Sequence, residues 1–136
     1  MTSFLDTNIL IWAAQRNPDD PRKSAISRDL VLGEQFGVSA QSIAEFVNAA
    51  SRARISLPPE QIDEWIDFLS SMPFTPLDAE LVRRGFWMHR RYGIQYYDGA
   101  LLAAAERLGA SIFYTEDVNH DQMYGSVRAV NPFLER

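Results

Sequence analysis

The sequence predicts an α/β fold, with a central, mostly parallel sheet of about five short strands between layers of flanking helices (α/β/α). Short β-branched, aromatic or apolar stretches alternate along the chain with longer runs of helical length. Such alternation favours a parallel sheet with right-handed crossover connections. Composition is the second observation, because 136 residues with 46% hydrophobic content suit one globular domain. We therefore predict a single domain over residues 1–136.

The first half of the chain predicts two strands, each followed by helices. Asp6, Thr7 and Asn8 form a helix-entry signal directly after the first strand. Ser42 and Glu45 fit an S-x-x-E capping box at the start of a later helix. The predicted strands cover residues 3–5 and 36–40, and the predicted helices include residues 9–14, 22–32, 42–50 and 62–72.

The second half predicts a weak edge strand, two helices and two further strands. Pro76 lies within the strand candidate at residues 74–77, and proline suits an edge strand. Asp78 caps the next helix, which Gly93 ends. The remaining predictions are a helix over residues 98–108 and strands over residues 111–115 and 127–130.

Asp98 and Asp117 stand at the two ends of one helix-then-strand unit. A helix from Asp98 to Leu108 climbs about 16 Å at about 1.5 Å per residue. The following five-residue strand returns about 16 Å at about 3.3 Å per residue. We therefore expect Asp117 to lie near Asp98.

Four acids, Asp6, Glu45, Asp98 and Asp117, are assigned by this topology to the carboxyl edge of the sheet, where ligands bind in open α/β sheets. Each has a structural explanation: Asp6 and Asp98 as helix N-caps, Glu45 in the capping box, Asp117 in an Asx-turn. Together they would repel one another, which raises carboxylate pKa values unless a cation is present. Mg²⁺, or Mn²⁺ in its place, is the hard cation that such oxygen ligands favour.

Other kinds of site find little support in the sequence. The chain contains no cysteine, which excludes disulfides, thiolate metal sites and cysteine nucleophiles. It has no G-x-x-x-x-G-K-[ST] or G-x-G-x-x-G motif for nucleotide binding, and no G-x-S-x-G elbow. No apolar run reaches membrane-spanning length and the start lacks a basic leader, so we expect a cytoplasmic protein with no membrane partner.

Carboxylate-held Mg²⁺ points to phosphoryl chemistry on a nucleic acid. Such an ion binds substrate phosphates and lowers the pKa of a bound water. The formal net charge of −5 argues against nonspecific binding of nucleic acid through bulk charge, so we expect local arginines to hold the backbone. The candidates for RNA binding are Arg83, Arg84, Arg90 and Arg91, although a charge run on a helix is usually a solvated face.

The chain resembles PIN-domain proteins, and more closely the VapC family of ribonuclease toxins from toxin–antitoxin pairs. Four segments carry the resemblance, namely FLDTNIL with Asp6, SIAEF with Glu45, YYDGALLAAA with Asp98 and YTEDVNH with Asp117, followed by the terminal NPF. The resemblance implies metal binding and catalysis by these four acids and a strand order of 3-2-1-4-5.

The resemblance also implies supporting residues and partners. Asn8 and Thr115 would support the site, and the partners would be a second copy of the chain and a small antitoxin that forms a hetero-oligomer with it. Many relatives have glycine soon after the fourth acid, where this chain has Asp121. Asp121 or Glu116 is therefore an alternative to Asp117 as the fourth carboxylate.

The predicted function is that of a Mg²⁺-dependent endoribonuclease, in which a metal-activated water attacks an RNA phosphodiester in line. The family resemblance implies that it acts as the toxin of a toxin–antitoxin pair. A housekeeping RNA-processing nuclease of the same fold is the alternative, since its chemistry would be identical. A non-catalytic RNA-binding module is a weaker alternative, because it would be expected to lack one or more of the four acids.

Overall fold

Six strands and six helices alternate in the computed structural model of the chain, which describes residues 3–33, 35–52 and 54–134. No helix in those ranges combines the length and the apolar character that a membrane crossing requires. In chain order the elements are β1 Ser3–Leu5, α1 Thr7–Ala14, α2 Pro21–Gly33, β2 Phe36–Ser39, α3 Ala40–Ala50, α4 Pro59–Ser70, β3 Phe74–Thr75, α5 Ala79–Tyr92, α6 Tyr96–Arg107, β4 Ile112–Tyr114, β5 Met123–Tyr124 and β6 Val127–Val130.

The strands form one sheet in the order β3-β2-β1-β4-β6-β5. Every neighbouring pair is parallel except β5 and β6. The predicted order 3-2-1-4-5 is confirmed, because the fifth predicted strand, residues 127–130, is β6. The sequence prediction missed β5, a two-residue strand that closes the outer edge of the sheet. Strand β3, the weak strand that ends just before Pro76, lies at the other edge of the sheet, and this confirms the predicted edge position.

Helices cover both faces of the sheet, which confirms the predicted three layers. Phe4 and Phe113 face α5 and α6, whose buried face includes Met88 and Leu101. Leu5, next to Phe4 in β1, faces the opposite layer built from α1 to α4. Because successive strand residues point to opposite faces, the fully buried β1 contributes to two separate cores.

The capping box at the start of α3 is formed by other residues than predicted. Ser39 is the N-cap, and its hydroxyl accepts a hydrogen bond from the Ser42 backbone N–H at 3.1 Å. The Ser42 hydroxyl in turn accepts one from the Ser39 backbone N–H at 3.3 Å. The prediction that Glu45 completes a box with Ser42 is therefore wrong. Helix α3 begins two residues before Ser42, and this leaves the Glu45 carboxylate available for tertiary contacts.

Two aspartates predicted as plausible caps do not cap helices with their side chains. Helix α6 begins at Tyr96 with Gln95 as its N-cap, so Asp98 lies inside the first turn. Asp6 does occupy the N-cap position of α1, but its side chain makes no capping hydrogen bond. The predicted cap position is therefore wrong for Asp98 and confirmed for Asp6, but neither carboxylate is used for capping.

Helices α5 and α6 pack backbone against backbone at two glycines. A Cβ on Gly99 would lie 2.7 Å from the Gly85 carbonyl oxygen, and one on Gly85 would lie 2.9 Å from Ala100 Cα. Both distances are shorter than real Cβ contacts allow. Since Gly99 follows Asp98, this close approach sets the position of the Asp98 carboxylate relative to the sheet.

Gly99→Ala is expected to destabilise the protein, because the added methyl group must separate α5 from α6. Overpacking of this kind costs about 1–3 kcal/mol, measured as the free energy of unfolding in urea. Gly33→Ala is the matched control, since nothing lies within 4 Å of a Cβ at that position. Equal stabilities of the two variants would contradict the tight packing.

Candidate metal centre

Asp6 is a buried carboxylate directly after β1. Its backbone N–H donates to the Tyr114 carbonyl at 3.0 Å, which extends the β1–β4 ladder by one residue. Asp6 is only 4% exposed, and one of its carboxylate oxygens accepts a hydrogen bond from the Thr115 hydroxyl at 2.7 Å. The strand therefore delivers Asp6 to the carboxyl edge of the sheet, and Thr115 orients it.

Thr115 also positions Asp117. The Thr115 hydroxyl accepts a hydrogen bond from the Asp117 backbone N–H at 3.1 Å, while the Thr115 backbone N–H donates to Val130 in β6. Asn8 contributes from the first turn of α1, where its side-chain amide donates to the Asp117 carboxylate at 3.3 Å. Both supporting residues predicted for the site thus contact its aspartates.

Asp6, Asp98 and Asp117 come together at this edge. One carboxylate oxygen from each lies within 4.8 Å of the other two. The expectation that Asp117 returns to the neighbourhood of Asp98 is confirmed. The cluster lies where β1, α6 and the loop after β4 meet, so three separate elements each supply one acid.

Burial and mutual repulsion raise the pKa values of two of these acids. Burial raises the pKa of Asp6 well above its ordinary value, and the close Asp117 carboxylate adds to this. The Thr115 hydrogen bond opposes the shift, because it stabilises the ionised form. The pKa of Asp98 rises to about 6, through burial first and then through the charges of Asp117 and Glu45.

The donor set fits a hard divalent cation. Three carboxylates supply oxygen ligands, and the groups that contact them, Thr115 and Asn8, are neutral donors. A cation at the centre would offset the repulsion that raises the pKa values of Asp6 and Asp98. Asp6, Asp98 and Asp117 could therefore hold a metal ion of the Mg²⁺ or Mn²⁺ type.

Glu45 lies beside the cluster. Its two oxygens accept hydrogen bonds from the Thr7 hydroxyl at 2.9 Å and from the Gln41 side-chain amide at 3.2 Å. It shares a cavity of about 480 Å³ with the three clustered aspartates. The structure thus brings all four predicted acids to one cavity, with an oxygen of each of the three aspartates within 4.8 Å of the other two and Glu45 beside them.

The two alternatives to Asp117 lie outside the cluster. Glu116 forms an ion pair with Lys23 at 2.7 Å. Asp121 has a left-handed backbone, with φ of 63°, and pairs with His120 at 3.2 Å. It lines a different cavity, formed with α2 and residues near the end of the described chain. Of the three acids considered for the fourth position, Asp117 is the one that faces Asp6.

The arginines predicted to bind RNA are on α5, away from the acids. Arg84 forms an ion pair with Glu106 at 2.8 Å and stacks on Trp87, while Arg83, Arg90 and Arg91 are exposed. None of the four lines the cavity that holds the clustered aspartates. Arg52 does line this cavity, and sequence reasoning missed it. A signal existed, because Arg52 follows Glu45 by seven residues, two helical turns.

A comparison with protein families gives the PIN domain over residues 3–126. The chain belongs to the PIN domain family. The match spans β1 to the turn after β5 and so includes all three clustered aspartates and Glu45. A search of curated proteins found no match.

Solved structures share this PIN domain fold. A toxin–antitoxin complex from Klebsiella pneumoniae contains a chain 18% identical, with 98% of each chain covered and a TM-score of 0.69. VapC20, a sarcin-ricin loop cleaving toxin of Mycobacterium tuberculosis, is 17% identical, with 93% of this chain and 99% of that chain covered and the same TM-score of 0.69. FitAcB from Neisseria gonorrhoeae is 20% identical, with 97% and 99% covered and a TM-score of 0.60. At these identities the likeness shows a common fold.

Asp98→Asn is expected to stabilise the metal-free PIN domain at pH 8. The pKa of Asp98 is raised from 3.8 to about 6, so the ionised carboxylate disfavours the folded state above pH 6. This penalty disappears as the pH falls below the unfolded value, so the two proteins should converge near pH 4. A melting temperature a few degrees higher for the variant at pH 8 is expected, at about 4 °C per kcal/mol.

The sign of this pH dependence is the test. A variant less stable than the wild type at pH 8 without metal, or a difference that grows toward pH 4, would contradict the repulsion. Added Mn²⁺ should raise the melting temperature of the wild type more than that of Asp98→Asn.

Proposed function

We propose that the protein is a Mg²⁺-dependent endoribonuclease that acts as the toxin of a toxin–antitoxin pair. The observation that carries the proposal is the meeting of Asp6, Asp98 and Asp117 within 4.8 Å at the carboxyl edge of a PIN domain sheet. Acids so close together are costly without a cation, and carboxylate-held cations suit chemistry at phosphorus.

Asp6, Asp98 and Asp117 hold the Mg²⁺ ion in this proposal, and Mn²⁺ can substitute. When bound, such an ion activates water for in-line attack on the phosphodiester and offsets the negative charge that develops at phosphorus. The Thr115 hydroxyl donates to the Asp6 carboxylate and accepts from the Asp117 backbone N–H, which fixes the two residues relative to each other. Asn8 in α1 donates to the exposed Asp117 carboxylate. These contacts restrict the acids before substrate arrives, which avoids reorganisation during the reaction.

Glu45 has a different role from the other three acids. Thr7 and Gln41 fix its carboxylate on the wall of the same cavity, where it is half-buried. A carboxylate beside the cluster can orient the attacking water and accept its proton. We assign Glu45 to this task, and Asp117 shares in orienting the water. If a second ion binds, the carboxylates of Glu45 and Asp117 would hold it.

The toxin role is supported by the solved structures that share the fold. The Klebsiella pneumoniae structure is a toxin–antitoxin complex, and VapC20 is a sarcin-ricin loop cleaving toxin. On this basis we propose RNA as the substrate and a small antitoxin as the partner that blocks the site. The acidic cavity would attract a cationic side chain of such an antitoxin. A homodimer joined to antitoxin as a hetero-oligomer completes this proposal.

RNA cleavage tests the enzymatic part of the proposal. Purified protein is incubated with total RNA in Mg²⁺ or in chelator, and new RNA ends are mapped. Asp98→Asn is expected to lower the Mg²⁺-dependent cleavage rate at least about 100-fold, because loss of a ligand removes several kcal/mol of transition-state stabilisation. Asp121→Asn is the matched control and should cleave normally, since Asp121 lies outside the cluster. Full activity of Asp98→Asn would exclude the proposed site.

Expression in cells tests the toxin role separately from the chemistry. Wild-type protein and Asp121→Asn should arrest growth, whereas Asp98→Asn should not. Co-expression of a small protein encoded immediately upstream should relieve the arrest and co-purify with the wild type. A housekeeping nuclease would instead be active in vitro and harmless when overproduced, and that result would refute the toxin role alone.

A further inference from the structure

Two cavities flank the acidic cluster and share Asp98 and Asp117. The first, of about 480 Å³, lies on the side of α3 and contains Asp6 and Glu45. The second, of about 540 Å³, lies between the loop after α5 and the loop after β4. Each is large enough for a small ligand group of nucleotide size. A strand that crosses the cluster would therefore have space on both sides of it.

The rim of the first cavity carries an aromatic ring that packing does not require. Tyr97 precedes Asp98 in α6, lines this cavity and is 64% exposed. The Tyr96 ring packs edge-on against the Tyr97 ring, with the ring centroids 5.3 Å apart. The Tyr97 carbonyl oxygen accepts a long hydrogen bond of 3.5 Å from Gln41, which joins α6 to α3 at the mouth of the cavity. The backbone of Tyr97 is thus fixed while its ring remains available.

Arg52 supplies a positive charge to the same cavity. Its backbone is anchored in the turn after α3, since its carbonyl accepts hydrogen bonds from the N–H groups of Ile55 and Ser56 at 3.0 and 2.7 Å. Its side chain is exposed and, within the described ranges, no carboxylate lies within ion-pair distance of it. Asn48 also lines the cavity and adds a neutral amide.

We infer that this cavity is a subsite for a nucleotide of single-stranded RNA next to the scissile phosphate, with its base stacked on Tyr97 and a phosphate held by Arg52. This inference rests on the proposed function and names how its substrate is held. Stacking on an exposed tyrosine requires a base free of its partner strand. A guanidinium is the side chain best suited to a phosphate, and an acidic surface would otherwise repel the backbone.

The α5 arginines are a poorer candidate for the same task. Arg84 is already neutralised by Glu106, and Arg90 lies over the ring of Phe86 on a face that neither cavity includes. An RNA strand bound by the α5 arginines would lie away from the acidic cluster. Arg90 and the 49% exposed Phe86 therefore serve as matched controls for Arg52 and Tyr97.

RNA binding is the direct test, because it does not depend on turnover. Fluorescence anisotropy of a labelled random-sequence RNA octamer is measured with Ca²⁺ in place of Mg²⁺, for the wild type and five variants. Tyr97→Ala should weaken binding roughly 5- to 100-fold, and Tyr97→Phe should restore it, because stacking uses the ring face. Phe86→Ala should bind as the wild type does.

Salt dependence separates the role of Arg52 from that of Tyr97. Arg52→Gln should weaken binding and lower the slope of log Kd against log salt by about 0.7, the value for one phosphate contact on a single strand. Arg90→Gln should leave the slope unchanged, and Tyr97→Ala should weaken binding without altering it. A duplex of the same length should bind at least about 10-fold more weakly than the octamer, because its bases are unavailable for stacking.

Unchanged Kd values for both Tyr97→Ala and Arg52→Gln would overturn the inference, as would equal binding of duplex and single strand. The proposed function fails by a different result, namely a wild-type protein that cleaves no RNA in Mg²⁺ or Mn²⁺. The two failures are distinguishable because one is read from binding in Ca²⁺ and the other from new RNA ends.

Discussion

The repulsion among three carboxylates is the constraint on which the site depends. Asp6 is buried, and two further acids approach it to within 4.8 Å, while the side chains that donate hydrogen bonds to Asp6 and Asp117 are the neutral Thr115 and Asn8. The fold maintains this arrangement through the Thr115 hydroxyl, which joins Asp6 to the Asp117 backbone, and through the glycine contact that seats α6 against α5. A protein keeps such a costly arrangement where a cation relieves it, and the raised pKa values of Asp6 and Asp98 express the same cost.

The fold and the clustered acids were predictable from sequence because both depend on periodicity and chain length. Apolar strand segments located β1, β2, β4 and β6, and the residue after a buried parallel strand must emerge at the carboxyl edge of the sheet. Asp6 satisfies this rule directly. The return of Asp117 to Asp98 followed from the rise of a helix and a strand, and an error of two residues at the start of α6 did not alter it.

Other features depend on side-chain geometry that periodicity does not determine. The S-x-x-E pattern predicted that the Glu45 carboxylate accepts a hydrogen bond from the Ser42 N–H, but the Ser39 hydroxyl accepts it instead, and Glu45 contacts Thr7. The α5 arginines were the most evident basic run, yet their helix places them outside the acid cavity. Arg52 and Tyr97 reach that cavity from a turn and a helix start on different elements. The Gln41 side chain of α3 hydrogen-bonds to Tyr97 at the start of α6, and Arg52 and Tyr97 line the same cavity.

The central claim is that Asp6, Asp98 and Asp117 are ligands of one divalent cation, and anomalous diffraction from crystals soaked in Mn²⁺ tests it most directly. The predicted result is an anomalous peak among the three carboxylates, about 2.1 Å from an oxygen of each or joined to one of them through water. Crystals of Asp98→Asn should show a weakened peak at the same position. A peak elsewhere, or none at these aspartates in crystals that diffract well at millimolar Mn²⁺, would contradict the claim.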